Sequence, residues 1–456
     1  MQSDIIKMLR YNTGTDKKAF VAFKESFDAV IFNATIVAYS GSAIADLVSV
    51  HKNQYIIDPQ THIMQHDIMA IMSKDKKTGQ YHIKQSVKKY LDQLPNSVMD
   101  IIEKKNRPLS VAEINNIIDE LVERVFEFET QYVNSFIKKK EYDKYLRYAN
   151  IGPKPRVVIV PYFMLKKEMT EEQIYEYIEL NRKCLEKFVL YQERQESQYP
   201  VAAQLVIDRE ILKKENLCKL IKEYYDYDGY EYIFLWISDF SSFECSLEEK
   251  KKYYGLLEVL NQMGKKPLMA YGGYDSILLT QIQMPVRLFG VAQSVGYGEA
   301  RSITPVGGGL PVNKYYFYPL HRRMRFDEAL GILMENGYFS PEKSNAEHAN
   351  DYYSEICNCE QCKKIIKNDI DNFRVYNESI PYTVNARYGE IKRNRPTPEA
   401  TLVAAFHFLF CKNNEWEQVN NKKRQELIYQ LLSDSKKYGS KELQKQIEEW
   451  CNIFAK

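Results

Sequence analysis

The sequence predicts an α/β protein, a (β/α)8 TIM-type barrel with an N-terminal helical elaboration and a C-terminal zinc-binding and helical subdomain. Three observations lead there. From Val157 onward, apolar β-branched runs alternate with segments of helical periodicity. The runs are apolar throughout, which marks strands buried on both faces, paired in parallel and covered by helices. They number about eight, enough to close a barrel. An open nucleotide-binding sheet is disfavoured, because no Gly-x-Gly-x-x-Gly follows an early strand and no Walker lysine loop occurs.

Residues 1–50 read as a β-rich segment joining the barrel: Ala29 to Val37 is a strand-like run ending in Ser40-Gly41-Ser42. Tyr55-Ile56-Ile57 is the next strand and stops at Asp58-Pro59. A helical insertion spans 84–148, with apolar residues at three- and four-residue spacing from Ser110 to Tyr145 and Lys138-Lys139-Lys140 on the far side. After Gly152-Pro153 the strand Val157 to Tyr162 precedes a capping box, Thr170-Glu171-Glu172-Gln173, that starts a helix to about Gln195. Val201 to Ile207 is followed by a helix from Arg209 to Tyr225. Tyr232 to Ile237 is followed by a second capping box, Ser246 to Glu249, and a helix to Met263. Strands at Pro267 to Tyr271, Val286 to Ala292 and Lys314 to Tyr318 complete the barrel, which occupies 51–330. Residues 331–456 form the last subdomain.

Composition is that of an ordinary globular chain, 45% hydrophobic and 27% charged. A net charge of +2 gives no global attraction to nucleic acid, so any such binding needs a local basic face. The apolar runs are too short to span a bilayer and the N-terminus lacks an apolar leader, so a cytoplasmic protein without membrane partners is expected. Scattered single cysteines fit a reducing compartment.

Cys357-Asn-Cys359-Glu-Gln-Cys362 presents three thiolates from one tight loop, as a tetrahedral zinc site needs. His407, on the apolar run Ala404 to Phe410, is the expected fourth ligand, with His348 as the substitute. Four protein ligands leave no corner for water, so this Zn2+ is structural. A metal-free thiol cluster with a packed core histidine is the plainer alternative.

In a barrel, chemistry sits where strands end. That rule selects Asp58, Gln204, Ser238-Asp239, Gly272-Gly273-Tyr274-Asp275, Tyr297-Gly298-Glu299 and His321. Asp58 also suits a strand-ending turn, and Asp239 and Asp275 also suit helix caps. Gly307-Gly308-Gly309 fits a phosphate loop or a plain connection. His321-Arg322-Arg323-Met324-Arg325 and Lys392-Arg393-Asn394-Arg395 are basic clusters, each either a solvated face or an anion site for a nucleic-acid backbone.

Taken together, these features resemble the tRNA-guanine transglycosylase superfamily, zinc-bearing (β/α)8 barrels that exchange guanine for a 7-deazaguanine in nucleic acid. The cysteine motif with its helical histidine carries the resemblance, and this chain holds an insertion between them. Tyr55-Ile56-Ile57-Asp58-Pro59-Gln60-Thr61 is similar to the family's substrate segment, Ala203-Gln204-Leu205-Val206 to its base-reading segment, and Lys266 to Gly272 to its Leu-Met-Gly-Val-Gly run. The resemblance implies a substrate-site carboxylate at Asp58 and a base edge read by Gln204; Asp58 and the strand-end Asp239 are the candidates for the catalytic carboxylate roles. Among the strand-end and basic-cluster candidates, Gly272, Gly273, His321, Arg322 and Arg323 are the expected substrate contacts. The family's nucleophilic aspartate is replaced by Gly290, after Phe289, and its base-binding aspartate is absent at Pro161-Tyr162-Phe163. That divergence resembles bacterial and phage branches linked to DNA modification and antiviral defence. Two functions follow as expectations: base exchange on tRNA or DNA, or a catalytically silent barrel binding a deazapurine, a nucleotide or a partner protein in a defence assembly, with oligomers possible.

Overall fold

The computed structural model describes residues 5–12, 14–51, 54–75, 77–137, 153–296, 298–303, 314–386 and 389–454. Eight parallel strands form a nearly closed barrel with helices around it: β1 (Ile6–Tyr11), β2 (Ala29–Asn33), β3 (Gln54–Asp58), β4 (Val158–Ile159), β5 (Val201–Asp208), β6 (Tyr232–Ser238), β7 (Lys266–Met269) and β8 (Gly290–Ser294). Their order in the sheet is their order in the chain, with β1 hydrogen-bonded to β8. Side chains alternate across it. Ile6, Met8, Ile31, Ile56, Ala202 and Phe234 belong to an inner core, while Leu9, Val30, Tyr55, Leu205 and Leu235 pack outward under the helices.

The strand list differs from the sequence expectation at both ends. Ile6–Tyr11 is a barrel strand although Lys7 and Arg10 interrupt its apolar pattern. Lys314–Phe317, expected as the eighth strand, lies outside the barrel in an antiparallel pair with Arg322–Arg325. The run from Ala29 is strand only to Asn33; Ala34–His51 is helical, with a kink at Ser40. Both expected capping boxes form, Thr170 with Gln173 and Ser246 with Glu249. Arg209 to Tyr225 is two helices, Arg209–Leu212 and Leu217–Tyr225. The expected phosphate loop, Gly307 to Gly309, and Lys138 to Lys140 lie outside the described residues.

Between β3 and β4 the ladder thins to one bridge, Tyr55 with Pro155, and one bond from the Arg156 N–H to the Tyr55 carbonyl at 2.7 Å. Backbone groups buried at such a seam need other partners, and side chains supply them. Glu129 accepts the Ile159 N–H at 3.0 Å. Thr61 Oγ1 accepts the Tyr162 N–H at 2.7 Å and donates to its carbonyl at 2.6 Å. Asn181 brackets Phe163, and Gln65 brackets Met164, in the same two-sided way. The polar residues after Asp58 therefore complete the barrel wall.

Helices Pro398–Asn421, Arg424–Tyr438 and Lys441–Phe454 form the C-terminal layer. It docks on the barrel through buried Lys250, whose ammonium lies 2.7 Å from Glu449, and through Trp450, whose indole N–H donates to the Ser242 carbonyl at 2.6 Å. No helix among the described residues is long and apolar enough to cross a membrane.

Candidate metal centre and barrel mouth

The cysteine loop is shaped by its own backbone. Cys359 is the N-cap of helix Glu360–Ile366, its sulfur accepting the Cys362 N–H at 3.4 Å. Across from it, the Pro398–Asn421 helix presents His407 and, one turn later, Cys411. The donor atoms of Cys357, Cys359, His407 and Cys411 all lie within 4.8 Å of one another, and all four residues are buried. Zinc–sulfur bonds of ~2.3 Å arranged tetrahedrally separate two sulfurs by roughly 3.8 Å. Cys357 and Cys411 stand 3.8 Å apart. Imidazole Nε2–H of His407 donates to the Tyr316 carbonyl at 2.8 Å, which leaves Nδ1 as the ligating atom. That Nδ1 is 3.4 Å from Cys359 and 3.7 Å from Cys411.

Cys362, expected as a ligand, also reaches the centre: its sulfur is 3.3 Å from His407 Nδ1. It differs in being held by phenol hydroxyls, Tyr352 at 3.2 Å and Tyr376 at 3.4 Å. Five soft donors thus face four corners. Cys411 is the donor that sequence reasoning missed, and its signal was the one-turn spacing from His407 on the same helix. His348, the expected substitute, lies elsewhere, with Nε2 bonded to the Ser340 carbonyl at 2.8 Å. Hydrogen bonds from Cys357, Cys362 and Cys411 hold the Cys359 thiol far below its ordinary pKa, as the thiolate of the cluster. The donor set fits a metal ion, and its burial fits a structural role.

The same helix carries a buried polar chain toward the barrel. The Lys412 ammonium lies 2.9 Å from Glu415 and donates to the Tyr316 hydroxyl at 2.7 Å. Glu415 also meets His321 Nδ1 at 2.8 Å. His321 is therefore an internal hydrogen-bond partner of Glu415, stacked on Tyr274. Arg323 is committed too: its guanidinium donates to the carbonyls of Ser294 and Val295 and covers the Phe408 ring at 3.7 Å. Arg322 lies over Phe243 at 5.6 Å. These residues tie the subdomain to the end of β8.

At the barrel mouth Arg10 occupies the centre. Its Nε donates to the Ala270 carbonyl at 2.8 Å, its Nη1 to Asn33 at 3.2 Å, and both terminal nitrogens to Asp58 Oδ2 at 3.1 Å. Asp58 Oδ1 accepts the Tyr162 hydroxyl at 2.6 Å and the Gln60 N–H at 3.2 Å. The carboxylate is fully buried and its lone pairs are all used. Because Tyr162 donates to Asp58, its oxygen accepts from His62 Nδ1–H at 3.1 Å. Burial, with Lys166 and Arg10 nearby, pushes the His62 pKa down to about 3, so the ring is neutral and its Nε2 is an acceptor.

Beside this chain lies a cavity of about 190 Å³, bordered by Asn33, Gln60, His62, Trp236, Tyr271 and Arg301. Trp236 and Tyr271 stand 5.0 Å apart at 50°. Gln60 Oε1 accepts both the N–H and hydroxyl of Thr35, at 3.3 and 2.9 Å, which fixes the amide and turns Nε2 into the available donor.

The other sequence candidates are dispersed. Gln204 is buried in β5, and neither of its amide atoms has a partner among the described residues. Asp239 is exposed at the end of β6, at φ 54°, its carboxylate accepting the Ser238 hydroxyl. Gly272 packs tightly: a Cβ there would lie 2.4 Å from Val291 Cγ1. Gly273 precedes the short Tyr274–Leu278 helix. At Gly290 a Cβ would meet the Ile6 carbonyl at 2.7 Å and Leu268 at 2.8 Å, so no side chain fits where the resemblance expects a nucleophile.

Fold and centre define the class: a nearly closed (β/α)8 barrel with a buried Cys/His cluster suited to a metal ion. No family model matches this chain, and no curated protein matches it either.

Proposed function

We propose that this barrel binds a planar purine or 7-deazapurine base at its mouth, and that it recognises the base without exchanging it. One observation carries the reading: Gln60, whose Nε2 is left as a donor, and His62, whose Nε2 is left as an acceptor, line the same cavity as Trp236. That pair is complementary to the guanine edge, where O6 accepts and N1–H donates. The adenine edge has the opposite polarity. A cavity of about 190 Å³ is below the ~300–1,000 Å³ of drug-sized sites, in keeping with a single ring system. Two features argue against exchange. Gly290 offers no nucleophile, and the Asp58 lone pairs are held by Arg10, Tyr162 and Gln60.

Calorimetric titration with guanine, 7-deazaguanine and adenine tests this. The guanine-type bases should bind at least tenfold more tightly than adenine. Gln60→Glu, which keeps the Thr35 bonds and removes the donor, should abolish that preference. Equal binding of all three bases, or no effect of Gln60→Glu, would overturn the reading. Turnover of labelled guanine into tRNA or DNA would replace it with the transglycosylase reading.

A further inference from the structure

Between the cysteine loop and the His407 helix the chain makes a two-stranded antiparallel ribbon, Ser379–Ala386 with Gly389–Pro396, paired from Ser379–Pro396 to Ala386–Gly389. Every described side chain from Ser379 to Arg395 is exposed. An isolated two-stranded ribbon is marginal in water because neither face is covered. This one is anchored at its base, where the Thr397 N–H donates to the Glu378 carbonyl at 2.9 Å. Its roots are the metal centre itself: Tyr376 on one side touches Cys362, and His407 lies on the helix that follows.

Its cations are divided between the two faces. Directly opposed residues share a face, so Tyr382 with Arg393 and Ile380 with Arg395 form one face and Thr383 with Lys392 the other. The Arg395 guanidinium lies over the Tyr382 ring at 4.9 Å. No carboxylate among the described residues pairs with Lys392, Arg393 or Arg395, and Glu390 is the ribbon's single acid. Unpaired cations on a free ribbon are complementary to a polyanion.

We propose that this ribbon is a binding arm for duplex DNA. The major groove of B-form DNA, ~12 Å wide, admits a two-stranded β-ribbon, whereas that of A-form RNA is too narrow for side chains to read. Arginines on one face suit base edges and flanking phosphates, and Lys392 on the other face suits a phosphate. The inference is independent of the mouth pocket, and it assigns the DNA contact to the ribbon.

Fluorescence anisotropy of the full chain with a labelled duplex, the matching single strand and an RNA hairpin is the test. The duplex should bind tightest. Replacing Lys392, Arg393 and Arg395 together with alanine should weaken duplex binding at least tenfold at moderate salt. It should also flatten log K against log salt by about 1–3, since each phosphate contact contributes about 0.9 and the arginines divide between base edges and phosphates. All three side chains are exposed, so melting temperature and metal content should match wild type. An unchanged slope would overturn the proposal, as would tighter binding of the single strand or the RNA. Guanine binding by the triple variant should be unaffected, so the mouth and the arm fail separately.

Discussion

Arg10 and Asp58, on neighbouring regions of the barrel mouth though 48 residues apart, share one carboxylate oxygen among two guanidinium nitrogens at 3.1 Å. Both side chains are buried, with relative exposures of 1% and 0%. Arg10 also covers the Tyr271 ring at 4.3 Å, so the pair links β1 and β3 to the aromatic wall of the cavity. The geometry fixes Asp58 as an acceptor of Arg10, Tyr162 and Gln60.

Removing one partner of a buried pair strands a charge, at a cost of about 3–5 kcal/mol. Arg10→Met and Asp58→Asn should each destabilise the protein by that order in urea titrations. The double variant should lose less than the sum, because no buried charge is left alone. Additive losses would show the two groups to be uncoupled.

The metal centre should hold about one zinc per chain, and chelation should lower the melting temperature. With five donors for four corners, Cys362→Ser and Cys411→Ser should each retain metal, and the double variant should lose it. Elemental analysis checks this; loss of zinc in either Cys362→Ser or Cys411→Ser alone would rule out the redundancy.

Asp275 offers a pH signature. Burial pushes its carboxyl up to about 6 from 3.8; the Ser242 hydroxyl opposes the shift and Glu299 adds to it. The folded state therefore holds this proton more tightly than the unfolded chain. Its contribution is fully favourable below pH 4 and is lost as pH rises through 6, leaving a penalty of about 3 kcal/mol at neutral pH. Asp275→Asn removes that term. The stability difference between variant and wild type should grow by about 2 kcal/mol, in the variant's favour, from pH 4 to pH 7. A constant difference would contradict it.

Placing a carboxylate at position 290 should not create base exchange. Gly290→Ala already places a Cβ against the Ile6 carbonyl, and overpacking of this kind costs about 1–3 kcal/mol. Gly290→Asp should cost more, since it also buries a charge. Thermal denaturation with a guanine-exchange assay reads both; a stable, exchanging Gly290→Asp protein would reverse the reading of the mouth.

What the sequence determined by itself was local. Val201–Asp208 and Tyr232–Ser238 are apolar throughout and buried throughout, and Thr170 and Ser246 cap the helices they precede. Those signals are legible because propensity, capping and continuous burial act over a few neighbouring residues. The three-cysteine loop is readable for the same reason. Only the tertiary structure decided the partners. Ile6–Tyr11 went unread as a barrel strand because Lys7 and Arg10 break its apolar run, and Arg10 finds its partner in Asp58 only in the fold; Lys314–Phe317 read as a barrel strand although it pairs with Arg322–Arg325 outside the barrel. His321 and Arg323 read as a basic surface, yet Glu415 and the carbonyls ending β8 absorb them. Cys411 became a donor only when its helix was laid across the cysteine loop. Each of these depends on which distant groups share a buried space, and a charge or thiol in the chain does not encode its partner until packing brings the two together.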